Sequence, residues 1–113
     1  MAYHSGLAAE EIVVSDYARR GYPAAGRRWR GSAGEIDLIV ADGDGLIFVE
    51  VKKADSHDLA ASRLSPRQLD RICASASEYL ARMPQGQSTA CRVDLALVDA
   101  VGRVAIIENA SQF

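Results

Sequence analysis

Cysteine and histidine are scarce in this chain, with two of each among 113 residues. Cys73 and Cys91 fall in no metal-ligand spacing, and without an export leader they read as reduced, buried thiols. His4 and His57 stand apart from one another, and a lone loop histidine such as His57 is usually just solvated. Long apolar runs are also missing: none approaches the ~18 residues needed to cross a bilayer. The opening MAYHSGLAAEE has neither a basic nor an apolar export region, so the expectation is a cytoplasmic protein that does not enter a membrane. Excess positive charge is absent as well. A formal net charge of -2 excludes coating nucleic acid by bulk attraction. There are no repeats, low-complexity tracts or linkers.

What remains is a globular composition, 49% apolar and 25% charged. The length suits one core and not two, so residues 1–113 are expected to form a single domain. The charges are unevenly spread. From Tyr17 to Gly34 there are five arginines (Arg19, Arg20, Arg27, Arg28, Arg30) and no acid, and from Glu35 to Glu50 five acids and no base. A basic stretch beside an acidic one could hold phosphates near a metal. It equally fits a solvated helix end followed by an edge strand.

Residues 5–20 read as a helix that Ser5 can cap and Gly21 can end. A short strand is expected around Arg27–Arg30, then strands Glu35–Ala41 and Leu46–Ala54 joined by Asp42-Gly43-Asp44-Gly45, a strong hairpin signal. Residues 55–64 are polar and irregular and read as a loop. Ser65-Pro66-Arg67-Gln68 is a helix start with serine at the cap, proline at the first helical position and glutamine completing a capping box. Leu69, Ile72, Cys73, Ala76, Leu80 and Met83 form its apolar stripe. Strands Arg92–Val98 and Arg103–Glu108 finish the chain. A long helix between the third and fourth strands is a crossover, so those strands are expected to be parallel neighbours.

The hairpin carries the chemistry. Alternation puts Ile36, Leu38 and Val40 on one face and Glu35, Asp37 and Ile39 on the other. On the partner strand it separates Ile47, Val49 and Val51 from Phe48, Glu50 and Lys52. Packing the apolar sets together leaves Glu35, Asp37, Glu50 and Lys52 on a single face. A two-residue Gly43-Asp44 turn sets Asp37 opposite Glu50 and Glu35 opposite Lys52, with Cβ atoms about 4.5–5.5 Å apart. Facing carboxylates repel unless one is protonated or a cation lies between them. Their oxygens, with the Val51 carbonyl, suit a hard divalent ion such as Mg²⁺ or Mn²⁺. Lys52 could orient a water or stabilise charge on a phosphate. The bland reading of the same residues is a solvated face on which Glu35 pairs with Lys52.

"GEIDLI" followed by "FVEVK", with "RRWR" just upstream, resembles the YraN family of bacterial proteins. The likeness extends to Glu10 in the first helix, the Gly21-Tyr22 turn, "SPRQLDRI", "RVDLALVD" and "IIENA". That family is similar to restriction-endonuclease-like nucleases and archaeal Holliday-junction resolvases. The resemblance implies an α/β/α sandwich around a mixed sheet, here in the order α-β-β-β-α-β-β, and metal-dependent cleavage of nucleic acid. It also implies site roles for Asp37, Glu50, Lys52 and Glu10. The chain departs from the family at Ala9, where members carry glycine. It has Ala54 and Asp55 where many carry a base after Glu-x-Lys, and Gln68 where many carry lysine. Gln68 either contacts substrate or simply closes the capping box.

The expected function is therefore a metal-dependent endonuclease acting on DNA rather than RNA. Asp37 and Glu50 would hold the metal, and Arg27, Arg28 and Arg30 would contact phosphates. The alternative is a non-catalytic nucleic-acid-binding or protein-interaction module on the same fold. A homodimer or a protein partner is a third expectation, because a 12.1 kDa chain offers little surface for DNA.

Overall fold

The computed structural model describes the backbone of residues 2–110 and the side chains of residues 8–110. Among the described residues the order is α1 (Ala2–Arg19), β1 (Ala24–Arg30), β2 (Glu35–Asp42), β3 (Gly45–Lys53), α2 (His57–Ala61), α3 (Pro66–Leu80), β4 (Cys91–Val98) and β5 (Val104–Ile107). The strands lie in one sheet in chain order. Only the β3–β4 pair is parallel, as the α2–α3 crossover requires. Helix α1 covers one face, and α2 and α3 cover the other, giving the expected α/β/α sandwich.

Helix α1 turns Ala9, Val13 and Tyr17 inward at four-residue intervals, and all three are buried against Leu38, Val40, Ile47 and Val49. It stops at Gly21, whose φ of 93° suits the left-handed end position. The Gly21 amide donates to Ala18 and the Tyr22 amide to Tyr17 at 2.9 Å, the two bonds of a Schellman motif. The Tyr22 ring then packs edge-on against Tyr17. The helix begins at Ala2, so Ser5 lies within it and is not its cap; the side chains of Ser5, His4 and Leu7 lie outside the described ones. Helix α3 begins with the expected capping box, Ser65 and Gln68 bonding each other's backbone, with Pro66 at its first turn.

Four further expectations need correction. Residues 57–61 form the short helix α2, because Ser56 caps it at Leu59 and Ala60 finds a fully buried seat beside Leu95 and Leu97. Cys73 and Cys91 are free but exposed: the buried stripe of α3 passes through Ile72, Ala76 and Leu80 beside Cys73.

The third correction concerns the hairpin faces. Ile36 does not join Leu38 and Val40; it packs with Ile39, Leu46 and Phe48 against α3. Alternation slips between Ile36 and Leu38, and the neighbouring strand slips with it. Arg27 and Arg28 both reach α1, Trp29 packs on Tyr79 of α3, and Arg28 has a φ of 51°. The slip follows from covering the sheet on both sides, since Ile36 and Leu38 each need an apolar partner and find it on opposite faces. The turn end of the hairpin is thus apolar on both faces. Apart from the exposed Asp42 and Asp44 at the turn itself, its polar side chains lie at the open end.

The fourth is the pairing of Glu35, which meets Arg30 of β1 at 3.4 Å, while Lys52 turns to Glu50. A neighbouring strand supplied a nearer arginine than the hairpin's own lysine.

Candidate active site

The Gly43-Asp44 turn has a positive φ of 58° at its glycine, and Asp42 pairs with Gly45. This two-residue turn fixes the expected register, with Leu38 opposite Val49 as the last regular pair. Beyond it the ladder opens. The Val51 amide donates to the Asp37 carboxylate at 2.8 Å, so a side chain of β2 takes the bond that a backbone carbonyl would otherwise accept. The slip in alternation beside Asp37 is what lets its carboxylate lie along the strand edge.

Glu50 reaches the same place from β3 and lies within hydrogen-bonding reach of Asp37. Lys52 brings its ammonium group 3.4 Å from Glu50, and the two side chains are only 18% and 13% exposed. Burial is the largest influence on Glu50, followed by its hydrogen bond to Asp37 and that residue's charge. Together they push its pKa up to about 8 against the opposing pull of Lys52. Two carboxyl groups therefore share a half-buried spot with too little positive charge beside them.

This donor set fits a hard divalent cation that keeps several waters, as Mg²⁺ does when bound by one or two carboxylates. Asp37 and Glu50 would hold it. Among the described residues no third acid, histidine or cysteine joins them. Glu10 instead binds Arg28 at two points, 3.0 and 3.1 Å. Arg28 occupies the β1 position across from Asp37, between the pairs Arg27–Leu38 and Trp29–Ile36. Helix α1 so reaches this end of the sheet through an arginine.

The other expected residues are also placed. Arg27 pairs with Glu11 at 2.6 Å and Arg30 with Glu35, so each of the three arginines expected at phosphates faces an acid. Glu35 and Gln68 line a cleft of about 150 Å³ with Glu50, Gly34, Arg71 and Ile72. Larger cavities of about 460 and 400 Å³ contain none of Asp37, Glu50 and Lys52, so size does not select the site here. His57 turns away to the Arg103 carbonyl. Asp94 is fully buried and bonds Tyr17, Arg92 and the Asn109 amide, which makes it a support between α1 and the sheet. Arg71 was not among the expected residues. Its signal is the spacing Gln68-x-x-Arg71, which puts both on one face of α3.

Comparison with known proteins decides the family. The model of the Uncharacterised protein family UPF0102 matches residues 9–98. The chain belongs to UPF0102. This is the YraN family that the motifs resembled. A UPF0102 protein of Cereibacter sphaeroides strain KD131 is 61% identical over 97% of this chain and 94% of its own length. Relatives from Roseobacter denitrificans and Ruegeria pomeroyi are 51% and 53% identical, covering 85% and 86% of their own lengths. The hairpin, Arg28 and helix α3 all lie inside the matched UPF0102 region, whereas Glu108 and Asn109 lie beyond it. No helix among the described residues is long and apolar enough to cross a membrane.

Proposed function

We propose that this UPF0102 protein is a metal-dependent endonuclease that hydrolyses phosphodiester bonds of DNA in the cytoplasm. The observation that carries the reading is the meeting of Asp37, Glu50 and Lys52 at the open end of the hairpin. Burial there drives Glu50 toward protonation, a state that a cation would relieve. A divalent ion held by Asp37 and Glu50 would supply charge neutralisation at phosphate and make a bound water more acidic. Asp37 is held in place by the Val51 amide, which donates to its carboxylate. Lys52 contributes a fixed ammonium group where charge builds on the phosphate or on an attacking water.

The test is cleavage of branched, single-stranded and duplex DNA with Mg²⁺ or Mn²⁺, beside Glu50→Gln, Asp37→Asn and Lys52→Ala. Each substitution is expected to lower turnover by about 10²-fold or more. Activity that survives both Glu50→Gln and Lys52→Ala sinks the mechanism.

A second reading, a nucleic-acid-binding or partner-binding module without turnover, draws on the Glu10–Arg28 pair that occupies the helix glutamate. Metal-independent binding with no cleavage supports it. A homodimer, or a complex with another protein, would supply DNA-contact surface that a small chain lacks, and sedimentation with and without DNA reads this directly.

A further inference from the structure

Arginines on β1 are poor phosphate ligands as they stand. Arg27, Arg28 and Arg30 are each in an ion pair with an acid. A phosphate would have to displace a carboxylate at every one. The cleft beside Glu50 has a different cation on its wall. Arg71 is exposed, lines that cleft, and has no ion pair or side-chain hydrogen bond with any described residue. Glu35, the other acid in the cleft, is already taken by Arg30.

Gln68 stands one turn earlier on the same wall. Its Oε1 accepts the Ser65 amide at 3.1 Å in the capping box, which leaves both Nε2 hydrogens without a described acceptor. The two readings of Gln68, helix cap and substrate contact, are therefore compatible, because they use opposite ends of one amide. A half-buried amide donor and a free guanidinium, three residues apart at the positive end of α3, converge beside Glu50. A guanidinium matches two phosphate oxygens at once. The cleft's volume of about 150 Å³ is of the order of a phosphate group with water, too narrow for a nucleoside.

We propose that Gln68 and Arg71 form the phosphate seat of this cleft, binding the non-bridging oxygens of a nucleic-acid phosphodiester beside Glu50. This rests on the nuclease reading and moves the phosphate contact from β1 to α3.

The experiment measures binding of a short fluorescein-labelled DNA, duplex and single-stranded, to the full chain in Ca²⁺ over a range of salt. Arg71→Ala is expected to weaken binding about tenfold and to lower the salt slope by about one. Arg71→Lys restores the slope but little of the affinity, since an ammonium group cannot span two oxygens. Gln68→Glu preserves the capping box and the melting temperature yet loses about tenfold or more in binding, because an acceptor replaces the donor. Arg67→Ala, on the same helix but outside the cleft, changes affinity by less than about threefold. Arg71 holds no described contact whose loss could unfold α3, so its arm decides even where Gln68→Glu lowers stability. Unchanged binding in Arg71→Ala and Gln68→Glu, with wild-type cleavage intact, overturns the phosphate seat alone. A wild-type chain that neither binds nor cuts DNA overturns the seat and the nuclease reading together.

Discussion

Asp94 and Glu50 are both carboxylates placed inside the sheet, on neighbouring strands, and their surroundings are opposite. Asp94 is completely buried and accepts three bonds: the Tyr17 hydroxyl at 2.7 Å, Arg92 at 3.0 Å and the Asn109 amide at 3.2 Å. Burial first, and the Asp94 carboxylate second, push the Tyr17 hydroxyl far above its ordinary range, so it remains a donor. Glu50 is less buried yet worse served, with a second carboxyl at its side and one ammonium group at 3.4 Å. A carboxylate with all its partners in place stabilises a fold. One that lacks them is a candidate for holding a charge from outside.

Removing Asp94 should give the largest effect in this comparison. Asp94→Ala strands Arg92, the Tyr17 hydroxyl and the Asn109 amide, and is expected to cost about 3–5 kcal/mol in urea unfolding. A loss below about 1 kcal/mol would break the contrast from the Asp94 side. Tyr17→Phe removes one of the three donors and should cost about 1–2 kcal/mol.

Glu50→Gln sharpens the contrast from the other side. It is expected to abolish cleavage while stabilising the metal-free protein by about 1–2 kcal/mol at pH 8. The sign follows from the raised pKa. The folded state holds the Glu50 proton up to about pH 8, whereas the unfolded chain releases it near the usual 4.5. The stabilising contribution is complete below about 4.5 and disappears as pH rises to about 8. Wild-type melting temperature should therefore decline across that window in the absence of divalent ions, and the decline should be shallower in Glu50→Gln. Equal slopes would mean that Glu50 does not titrate there.

Glu10→Gln gives the smallest expected change. The Glu10–Arg28 pair is partly exposed, and its loss should cost less than about 1 kcal/mol. A much larger loss would give α1 a structural dependence on β1 and remove the reason to look for a second role in Glu10.

Much of this molecule was legible from local signals. The capping box at Ser65, the Schellman end at Gly21 and the two-residue turn at Gly43 each depend on a few adjacent residues, and each formed where expected. The hairpin register followed from the turn and brought Asp37 to Glu50. The paired state of Arg27, Arg28 and Arg30 was not legible, because their partners Glu11, Glu10 and Glu35 come from other elements or from across a strand pair. The only sequence signal of Arg71 is its spacing from Gln68, and that spacing does not distinguish a cleft wall from a solvated helix face. The burial of Ile36 against α3 was missed for a related reason: alternation assumes a regular strand, and the strand slips where two helices compete for its side chains.

The sequence by itself determined the family, the order of the strands and of the two long helices, and the meeting of Asp37 with Glu50, since turn chemistry and strand period act over a few residues. Only the tertiary structure decided which charges were already spent on one another. Ion pairs such as Glu10–Arg28 form between segments distant in the chain, and their geometry exists only once the sheet is covered on both faces. The same packing left Glu50 short of positive charge and Arg71 without an acid among the described residues, both lining one cleft.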